Sequence, residues 1–295
     1  MTDTFHALST FPDGGTPFDR ADRFLLDRIR QARADAGRPI LVGLCGAQGS
    51  GKSTTAARLV TGLEGEGTSA VALSIDDFYL SRAERQHLAA TVHPLFATRG
   101  PPGTHDIALA HATLDALSTL APGEAIRLPG FDKTRDDRAP ECDWPERRGP
   151  VDVVVLEGWC VGARPQPPAA LTPPANRLER EEDADGRWRG AANMALAADY
   201  AALFARLDLR ILLRAPGFEQ VAAWRTEQER GLHRRPGLSL PPMDADAIGR
   251  FIAHYERITR WILADEPADI VIPIGSDRAP LGWRPGRPVS DDQAC

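Results

Sequence analysis

The sequence predicts an α/β protein in which a parallel β-sheet is covered by helices on both faces. The first observation is a set of five short apolar runs of strand length and composition: residues 40–45, 70–75, 151–156, 209–213 and 269–274. The second is that helical stretches separate most of these runs, among them 107–120 and 194–207. Strands that alternate with helices are typical of a parallel sheet buried on both faces. In such sheets, ligands bind at the carboxyl ends of the strands.

The first predicted element is a helix over residues 19–36, where apolar residues recur at helical spacing. Pro39 then introduces the first strand, 40–45, because proline favours the start of an extended segment. A glycine-rich loop follows this strand, and a second helix runs from Gly51 to about Leu63. We expect residues 1–38 to form an N-terminal helical extension of one domain that spans residues 1–295.

The glycine-rich loop, residues 46–53, matches the G-x-x-x-x-G-K-S pattern of a P-loop. In a P-loop, backbone N–H groups surround the phosphates of a nucleotide, and the following helix adds partial positive charge. Only two of the 35 basic residues are lysines, Lys52 and Lys133, and the compact ammonium of Lys52 suits this position better than the broad fork of an arginine. The sequence therefore predicts the P-loop NTPase fold and ATP as cofactor. The predicted ATP-binding residues are Gly46, Ala47, Gln48, Gly49, Ser50, Gly51, Lys52, Ser53 and Thr54.

Composition narrows the function further. The net charge is −6 and no block of lysine or arginine exceeds a few residues, so the basic surface of a nucleic-acid binder is missing. No apolar run approaches the roughly 18 residues that a membrane span requires, and the first residues do not resemble a signal peptide. The four cysteines show no paired short spacing, which argues against a zinc or disulfide framework. We expect a cytoplasmic enzyme that binds neither nucleic acid nor membrane.

P-loops occur in GTPases, transporters, motors and kinases. The absence of motifs that are specific to a class excludes some of these classes. A guanine-specific N-K-x-D motif needs a lysine after an asparagine, and neither lysine has one. No L-S-G-G-Q signature of transporter ATPases is present. A small-molecule kinase remains, and such a kinase needs magnesium, a proton acceptor and cations over the transferring group. We expect Ser53, Glu157 and Asp77 to hold Mg²⁺ or its waters.

Asp76 and Asp77 follow the second predicted strand directly and should therefore project into the cleft. Adjacent residues on an extended chain point to opposite faces, so only one of them can address the substrate. Asp76 is our candidate proton acceptor because of its spacing to Tyr79, which we also place among the substrate-binding residues. The alternative for the pair is helix capping, since aspartate is a common N-cap.

Two polar segments, 99–106 and 131–138, supply the other candidate substrate contacts. A stiff Arg-Gly-Pro-Pro-Gly turn presents the polar side chains of the first, and the second packs six charges into eight residues with the rare Lys133. These segments indicate a small anionic acceptor. The alternatives are that Asp106 only caps the following helix and that 131–138 is a solvated loop. The predicted contacts are Asp76, Tyr79, Arg99, His105, Asp106, Asp132, Lys133, Arg138 and Arg225.

Two further segments are candidate lids or inserts. Residues 162–190 are rich in proline and then acidic, and residues 229–242 are rich in arginine. Arg225 and Arg230 lead into the second segment, and guanidinium groups that close over a transferring phosphoryl group raise turnover. We therefore assign Arg230, with Asp76 and Lys52, to catalysis. Ordinary surface loops are the alternative, and residues 275–295 form the C-terminal tail.

The assembled motifs resemble a known family. They are S-I-D-D-F-Y-L at 74–80, R-G-x-P-G-T-H-D at 99–106, F-D-K at 131–133, L-E-G-W at 156–159, and W-R with Q-E at 224–229. Together they are similar to the plant-type D-glycerate 3-kinases and their kinase-like relatives, within the group of uridine kinase, phosphoribulokinase and pantothenate kinase. The resemblance covers about residues 41–274.

This resemblance implies phosphorylation of D-glycerate to 3-phosphoglycerate with ATP, and it places Asp76 at the position of the family's proton acceptor. Phe131 stands where family members usually have a tyrosine, and the stretch after Lys133 is shorter than theirs. Because this loop is expected to contact substrate, the acceptor is less well defined than the chemistry. Alternatives are a kinase for a nucleoside, a sugar phosphate or pantothenate, and a regulatory ATPase that binds nucleotide. The sequence leaves the oligomeric state open.

Overall fold

The computed structural model describes residues 7–232 and 245–287, with side chains described for 7–227 and 246–287. The helices are α1 (Pro17–Ala36), α2 (Lys52–Gly65), α3 (Arg82–Thr91), α4 (Ile107–Thr119), α5 (Pro168–Leu171), α6 (Arg177–Glu182), α7 (Arg187–Ala197), α8 (Asp199–Phe204), α9 (Phe218–Leu232) and α10 (Ala245–Asp265). The strands are β1 (Ile40–Gly46), β2 (Ala70–Ser74), β3 (Ala125–Arg127), β4 (Phe131–Asp132), β5 (Asp137–Arg138), β6 (Glu146–Arg148), β7 (Val153–Gly158), β8 (Leu209–Arg214), β9 (Ile270–Pro273) and β10 (Arg284–Pro285). Short 3-10 turns lie at Ile75–Phe78, Pro94–Ala97 and Glu141–Asp143.

The central sheet has the order β10-β9-β8-β1-β7-β2, and all of its pairings except β10 with β9 are parallel. The five strands predicted from apolar runs are β1, β2, β7, β8 and β9, so the predicted α/β fold with a parallel sheet is confirmed. In the register, Glu157 on β7 lies opposite Leu44 on β1 and Ser74 on β2. The ends of these three strands therefore bring the P-loop, Glu157 and the segment after Ser74 to one edge of the sheet.

Helices cover both faces of this sheet. Each strand directs alternate residues to opposite sides, and apolar side chains on both sides need to be buried. On β1, Val42 and Leu44 belong to the core formed with α1, α2 and α9. Leu41 and Cys45 belong to the core formed with α4, α8 and the second half of α10. The β1 residues that face each of the two cores are thus apolar. This matches the continuous apolar runs typical of a sheet that is covered on both faces.

One predicted helix is divided in the structure. Residues 194–207 were expected to be continuous, but α7 ends at Ala197 and α8 begins at Asp199. Ala198 between them adopts φ −111° and ψ −99°, outside helical geometry. This break turns α8 so that Tyr200 and Leu203 are buried in the core beneath α4.

The candidate insert 162–190 forms α5, α6 and the start of α7, and buried ion pairs anchor it. The fully buried Glu179 accepts from Nε and Nη2 of Arg257 on α10, at 2.7 and 2.6 Å. Asp183 accepts from Arg189 at 2.9 Å, again with both side chains buried. These contacts favour a fixed insert over a moving lid. Across the described residues, no helix is both long and apolar enough to span a bilayer.

Candidate active site

The P-loop connects β1 to α2 through glycines in left-handed backbone conformations. Gly49 has φ +79° and Gly51 has φ +86°, values that side chains other than glycine rarely adopt. Gly51 is the N-cap of α2 without a side-chain cap, and no acidic residue lies in the first turn of this helix. The first N–H groups of α2 therefore remain available to an anion, as phosphate binding requires.

A tryptophan and an arginine from distant parts of the chain hold the P-loop in place. A Cβ atom at Gly49 would lie 2.5 Å from the Cβ of Trp224, so only glycine fits there. The Nε of Arg278 donates to the carbonyl of Gly49 at 2.7 Å, and its guanidinium lies 5.4 Å from the centre of the Trp224 ring. Arg278 also pairs with Glu227 on α9 at 2.5 Å. Sequence reasoning missed Arg278, since no motif marks it.

The predicted metal residues Ser53 and Glu157 lie beside Lys52. The Oγ of Ser53 donates to Oε1 of Glu157 at 2.8 Å, and Nζ of Lys52 lies 4.0 Å from Oε2. Glu157 is 5% exposed, and its Oε2 atom has no hydrogen-bond partner within the described residues. A buried carboxylate oxygen next to a hydroxyl is a donor set that suits Mg²⁺ and its waters, since this ion prefers oxygen ligands.

Asp76 lies in the 3-10 turn that follows β2, between a tyrosine and a lysine. The hydroxyl of Tyr79 donates to Oδ1 of Asp76 at 2.8 Å, and Nζ of Lys133 lies 2.7 Å from Oδ2. Burial opposes ionisation of Asp76, but the charges of Lys133 and Lys52 outweigh it and lower the pKa to about 2. Asp76 is therefore ionised at neutral pH and lies within electrostatic reach of the P-loop lysine.

Asp77 takes a different position from its neighbour, but the extended chain on which the alternation argument rested is not present, because both residues lie in the 3-10 turn Ile75–Phe78. Its Oδ2 accepts from the backbone N–H of Ser74 at 3.3 Å, and the Ser74 side chain accepts from Asp76, which completes the capping box of the turn. Burial raises the pKa of Asp77 to about 6, and the charge of Asp76 adds to this effect. Capping, weighed as the alternative for the pair, is thus present at Asp77.

His105 lies against Tyr79 and is buried. The two rings stack with centroids 4.5 Å apart, and His105 is 5% exposed. Nδ1 of His105 makes a hydrogen bond with the hydroxyl of Tyr200. Burial lowers the pKa of His105 to about 4, so the ring is neutral at physiological pH. Sequence reasoning did not single out Tyr200.

The remaining predicted substrate residues form the framework that holds Lys133 and Tyr79. Asp106 caps α4 by accepting from Leu109 N at 2.9 Å and also accepts from Arg138 at 2.9 Å. Asp132 accepts from the N–H and hydroxyl of Thr134 at 2.9 and 2.6 Å, which closes the turn that carries Lys133.

Asp136 links the two polar segments. It pairs with Arg99 and, at 2.7 Å, with Arg85, which is fully buried beneath the loop. Both guanidinium groups lie 5.5 Å from the centre of the Phe131 ring. Arg99 therefore supports the 131–138 loop, and Arg85, which the sequence analysis did not name, supports it from below.

Of the two arginines predicted near the second candidate lid, the structure describes the side chain of only one. The guanidinium of Arg225 lies 5.1 Å from the centre of the Phe251 ring on α10. Arg230 lies within α9, but its side chain is outside the described residues, as are residues 233–242 of the candidate lid. The catalytic role of Arg230 stays a prediction.

A cleft of about 250 Å³ opens beside the P-loop. Its lining combines the start of α2 with the segment after β9: Phe18, Ser50, Gly51, Thr54, Thr55, Arg58, Leu213, Ile274, Asp277, Arg278 and Pro280. The cleft is large enough for a nucleoside and lies next to the N–H groups expected to bind phosphate. The predicted residue Thr54 lines it, and Asp277 and Arg278 were not expected from sequence.

Comparison with known proteins identifies the family. No family model matches the chain. The Schizosaccharomyces pombe kinase mug58 is 36% identical over 230 residues, which cover 74% of this chain and 79% of the relative. The chloroplast D-glycerate 3-kinase of Arabidopsis thaliana is 28% identical over 276 residues, which cover 88% of this chain and 58% of the plant protein. The chain belongs to the family of P-loop kinases that includes mug58.

The fold of this P-loop kinase also matches a solved structure. The D-glycerate 3-kinase of Cryptococcus neoformans superposes with a TM-score of 0.75 at 24% identity, over 92% of this chain and all of that chain. Family membership makes the protein an ATP-dependent phosphotransferase, which confirms the predicted enzyme class. Family membership does not by itself identify the acceptor substrate.

Proposed function

We propose that this kinase transfers the γ-phosphoryl group of ATP to D-glycerate and forms 3-phosphoglycerate. The observation that carries the proposal is that Asp76 pairs with Lys133 and accepts from Tyr79, whose ring stacks on His105, within electrostatic reach of Lys52. Such a group of side chains offers a base for a hydroxyl group and donors for a carboxylate. The similarity to the plant D-glycerate 3-kinase over most of this chain supports the same acceptor.

In the proposed reaction, the 3-hydroxyl oxygen of D-glycerate bonds to the γ-phosphorus, the bond from that phosphorus to the bridging oxygen breaks, and ADP leaves. Asp76 accepts the hydroxyl proton. A carboxylate with a pKa of about 2 is a weak base, so the proton moves late, when the hydroxyl oxygen is already bonding to phosphorus. Transition states of phosphoryl transfer are loose, which suits a late proton transfer.

The pair of Lys133 with Asp76 gives substrate binding a way to strengthen this base. Lys133 is 59% exposed in the side chain and lies on the turn between β4 and β5, so its ammonium is free to reorient. A substrate carboxylate competes with Asp76 for this cation. When the ammonium turns to the substrate, Asp76 loses a stabilising charge, and its pKa rises towards the value that proton transfer needs.

The nucleotide side of the site comprises the P-loop, Lys52 and the group around Glu157. Lys52 and the N-terminus of α2 balance the charge of the phosphates. Ser53, Glu157 and Asp77 are the residues that would hold Mg²⁺ and its waters. When bound, Mg²⁺ neutralises charge on the β- and γ-phosphate oxygens. The cleft beside Thr54 and Arg278 is our proposed place for the nucleoside.

The test is an acceptor panel with purified protein, ATP and Mg²⁺. Release of ADP is measured with D-glycerate, L-glycerate, uridine, pantothenate or no acceptor, and ³¹P NMR identifies the product. We expect release that depends on D-glycerate, with 3-phosphoglycerate as product. Transfer to another acceptor on the panel would replace glycerate in the proposal. Release without any acceptor would instead indicate a regulatory ATPase.

A further inference from the structure

We propose that Tyr200 is a positioning residue that fixes the tautomer of His105, so that His105 presents an Nε2–H donor to an oxygen atom of the acceptor substrate. The identity of the acceptor rests on the proposed function, whereas the tautomer is a property of the protein without ligand. The proposal depends on the hydrogen bonds of one buried hydroxyl group and on one buried ring nitrogen.

The hydroxyl of Tyr200 is buried and has one hydrogen to give. Tyr200 is 1% exposed, and its oxygen accepts from the backbone N–H of Gly103 at 3.1 Å. Its hydrogen then points to Nδ1 of His105, with which the hydroxyl is hydrogen-bonded. If Nδ1 carried a proton instead, the oxygen would receive a further donor besides the backbone N–H groups of Gly103 and His105, and its own hydrogen would lack an acceptor in the described part of the chain. Buried hydroxyl groups keep their hydrogen bonds, so the first arrangement is favoured.

A neutral imidazole has one donor nitrogen and one acceptor nitrogen. Because Nδ1 of His105 accepts from Tyr200, the ring proton is on Nε2. This N–H group is buried and has no hydrogen-bond partner among the described residues. An unpaired buried donor destabilises the fold, so a partner from outside the chain, such as a ligand atom, would stabilise it.

The position of the ring indicates what that ligand is. His105 stacks on Tyr79, whose hydroxyl contacts the candidate base Asp76, and the charge of Asp76 acts on His105. The ring thus lies among the residues proposed to bind the acceptor. A neutral donor of this kind favours a carboxylate or hydroxyl oxygen and disfavours an ammonium or amide N–H group at the same place. Tyr200 would therefore select for the oxygen-rich acceptors of the proposed reaction.

The direct test is ¹⁵N NMR of the histidine rings in protein without ligand, with His105→Gln used to assign the His105 signals. We expect the Nε2–H tautomer for His105 in the wild type and a mixture of tautomers in Tyr200→Phe. Tyr255→Phe is the matched control, because it also removes a buried hydroxyl, one that donates to the carbonyl of Arg99 rather than to a histidine. It should leave the His105 tautomer unchanged. An Nδ1–H tautomer in the wild type, or an unchanged tautomer in Tyr200→Phe, would overturn the proposal.

Kinetics test the link to substrate. Tyr200→Phe should raise the KM for D-glycerate roughly tenfold and leave the KM for ATP unchanged, as expected for one lost hydrogen bond. In the His105→Gln background, where an amide N–H replaces Nε2–H and no tautomer exists, Tyr200→Phe should add no further increase. A further increase there would mean that Tyr200 acts only through folding. If D-glycerate is not phosphorylated at all but the tautomer is as expected, the proposed function fails and the role of Tyr200 stands.

Discussion

Nζ of Lys133 lies 2.7 Å from Oδ2 of Asp76, so one of the two lysines of the chain holds the candidate base in its ionised form. The two residues are 57 positions apart, and the short β4–β5 hairpin brings the lysine to the end of β2. The other lysine, Lys52, acts on the same carboxylate. Both lysines therefore act electrostatically on the same carboxylate.

Replacing Lys133 with methionine should lower kcat/KM for the acceptor roughly 10- to 100-fold, the cost of losing one charged hydrogen bond. ATP affinity should change little, because the ammonium of Lys133 pairs with Asp76 rather than with a P-loop residue. Lys133→Arg is the control for charge, and its planar fork should restore only part of the activity. Steady-state kinetics with varied acceptor check this, and a Lys133→Met enzyme with more than half the wild-type kcat/KM would remove Lys133 from the site.

Replacing Asp76 with asparagine should lower turnover by about 10²- to 10⁴-fold, the usual contribution of a general base. The amide is of similar size but cannot accept the proton, so calorimetry should show unchanged ATP binding. Asp77→Asn discriminates between the two neighbours. If Asp77→Asn abolishes transfer while Asp76→Asn keeps half of the activity, the base is Asp77 and our assignment is wrong.

Replacing Arg278 with alanine should weaken ATP binding roughly tenfold, since a charged donor to the Gly49 carbonyl is lost. Turnover at saturating ATP should fall much less, because the described partners of Arg278 are Gly49, Glu227 and Trp224 and none of the proposed acceptor contacts. Arg177→Ala, in an exposed pair with Glu181, is the control for loss of an arginine. Calorimetry with Mg²⁺-ATP measures the dissociation constant, and equal affinities for wild type and Arg278→Ala would refute this role.

The sequence predicted the strands and the P-loop because both depend on local pattern. Asp76 and Asp77 were also expected to follow the second strand directly, and in the register Glu157 lies opposite Ser74, the last residue of that strand. The longest helix, α10, was not named, although Ile248, Ile252 and Ile262 follow helical spacing and are buried.

Tyr200 and Arg278 were not accessible to the same reasoning. Their partners are 95 and 229 positions away in the chain, so their roles arise only from tertiary packing. Asp106 is an intermediate case. Its capping of α4 was considered from the sequence, whereas its second partner, Arg138, was not predicted. Local sequence patterns thus identify candidate functional residues, whereas the residues that position them become apparent only from the tertiary structure.

Replacing Glu179 with glutamine should lower the free energy of unfolding by about 3–5 kcal/mol, because the Arg257 guanidinium would stay buried without its counter-charge. Urea denaturation measures the effect. Glu181→Gln is a close control, since it makes the same change two residues later in α6 at an exposed pair, where no measurable loss is expected. A similarly small loss for Glu179→Gln would show that the 162–190 insert is not anchored by this pair.

The His105→Gln variant should show how the buried ring couples stability to pH. In the folded protein the pKa of His105 is about 4, against about 6.5 in the unfolded chain, so the unfolded state binds more protons between these values. The neutral ring therefore contributes its full stability above pH 6.5 and loses it as the pH falls to 4. The difference in unfolding free energy between wild type and His105→Gln should shift by about 3 kcal/mol against the wild type over this window. Comparing the variants cancels the opposite contribution of Asp77, whose raised pKa stabilises the fold as the pH falls below 6. Urea titrations at pH 4, 5, 6 and 7 measure the difference, and a constant value across them would mean that His105 has the same pKa in the folded and the unfolded protein.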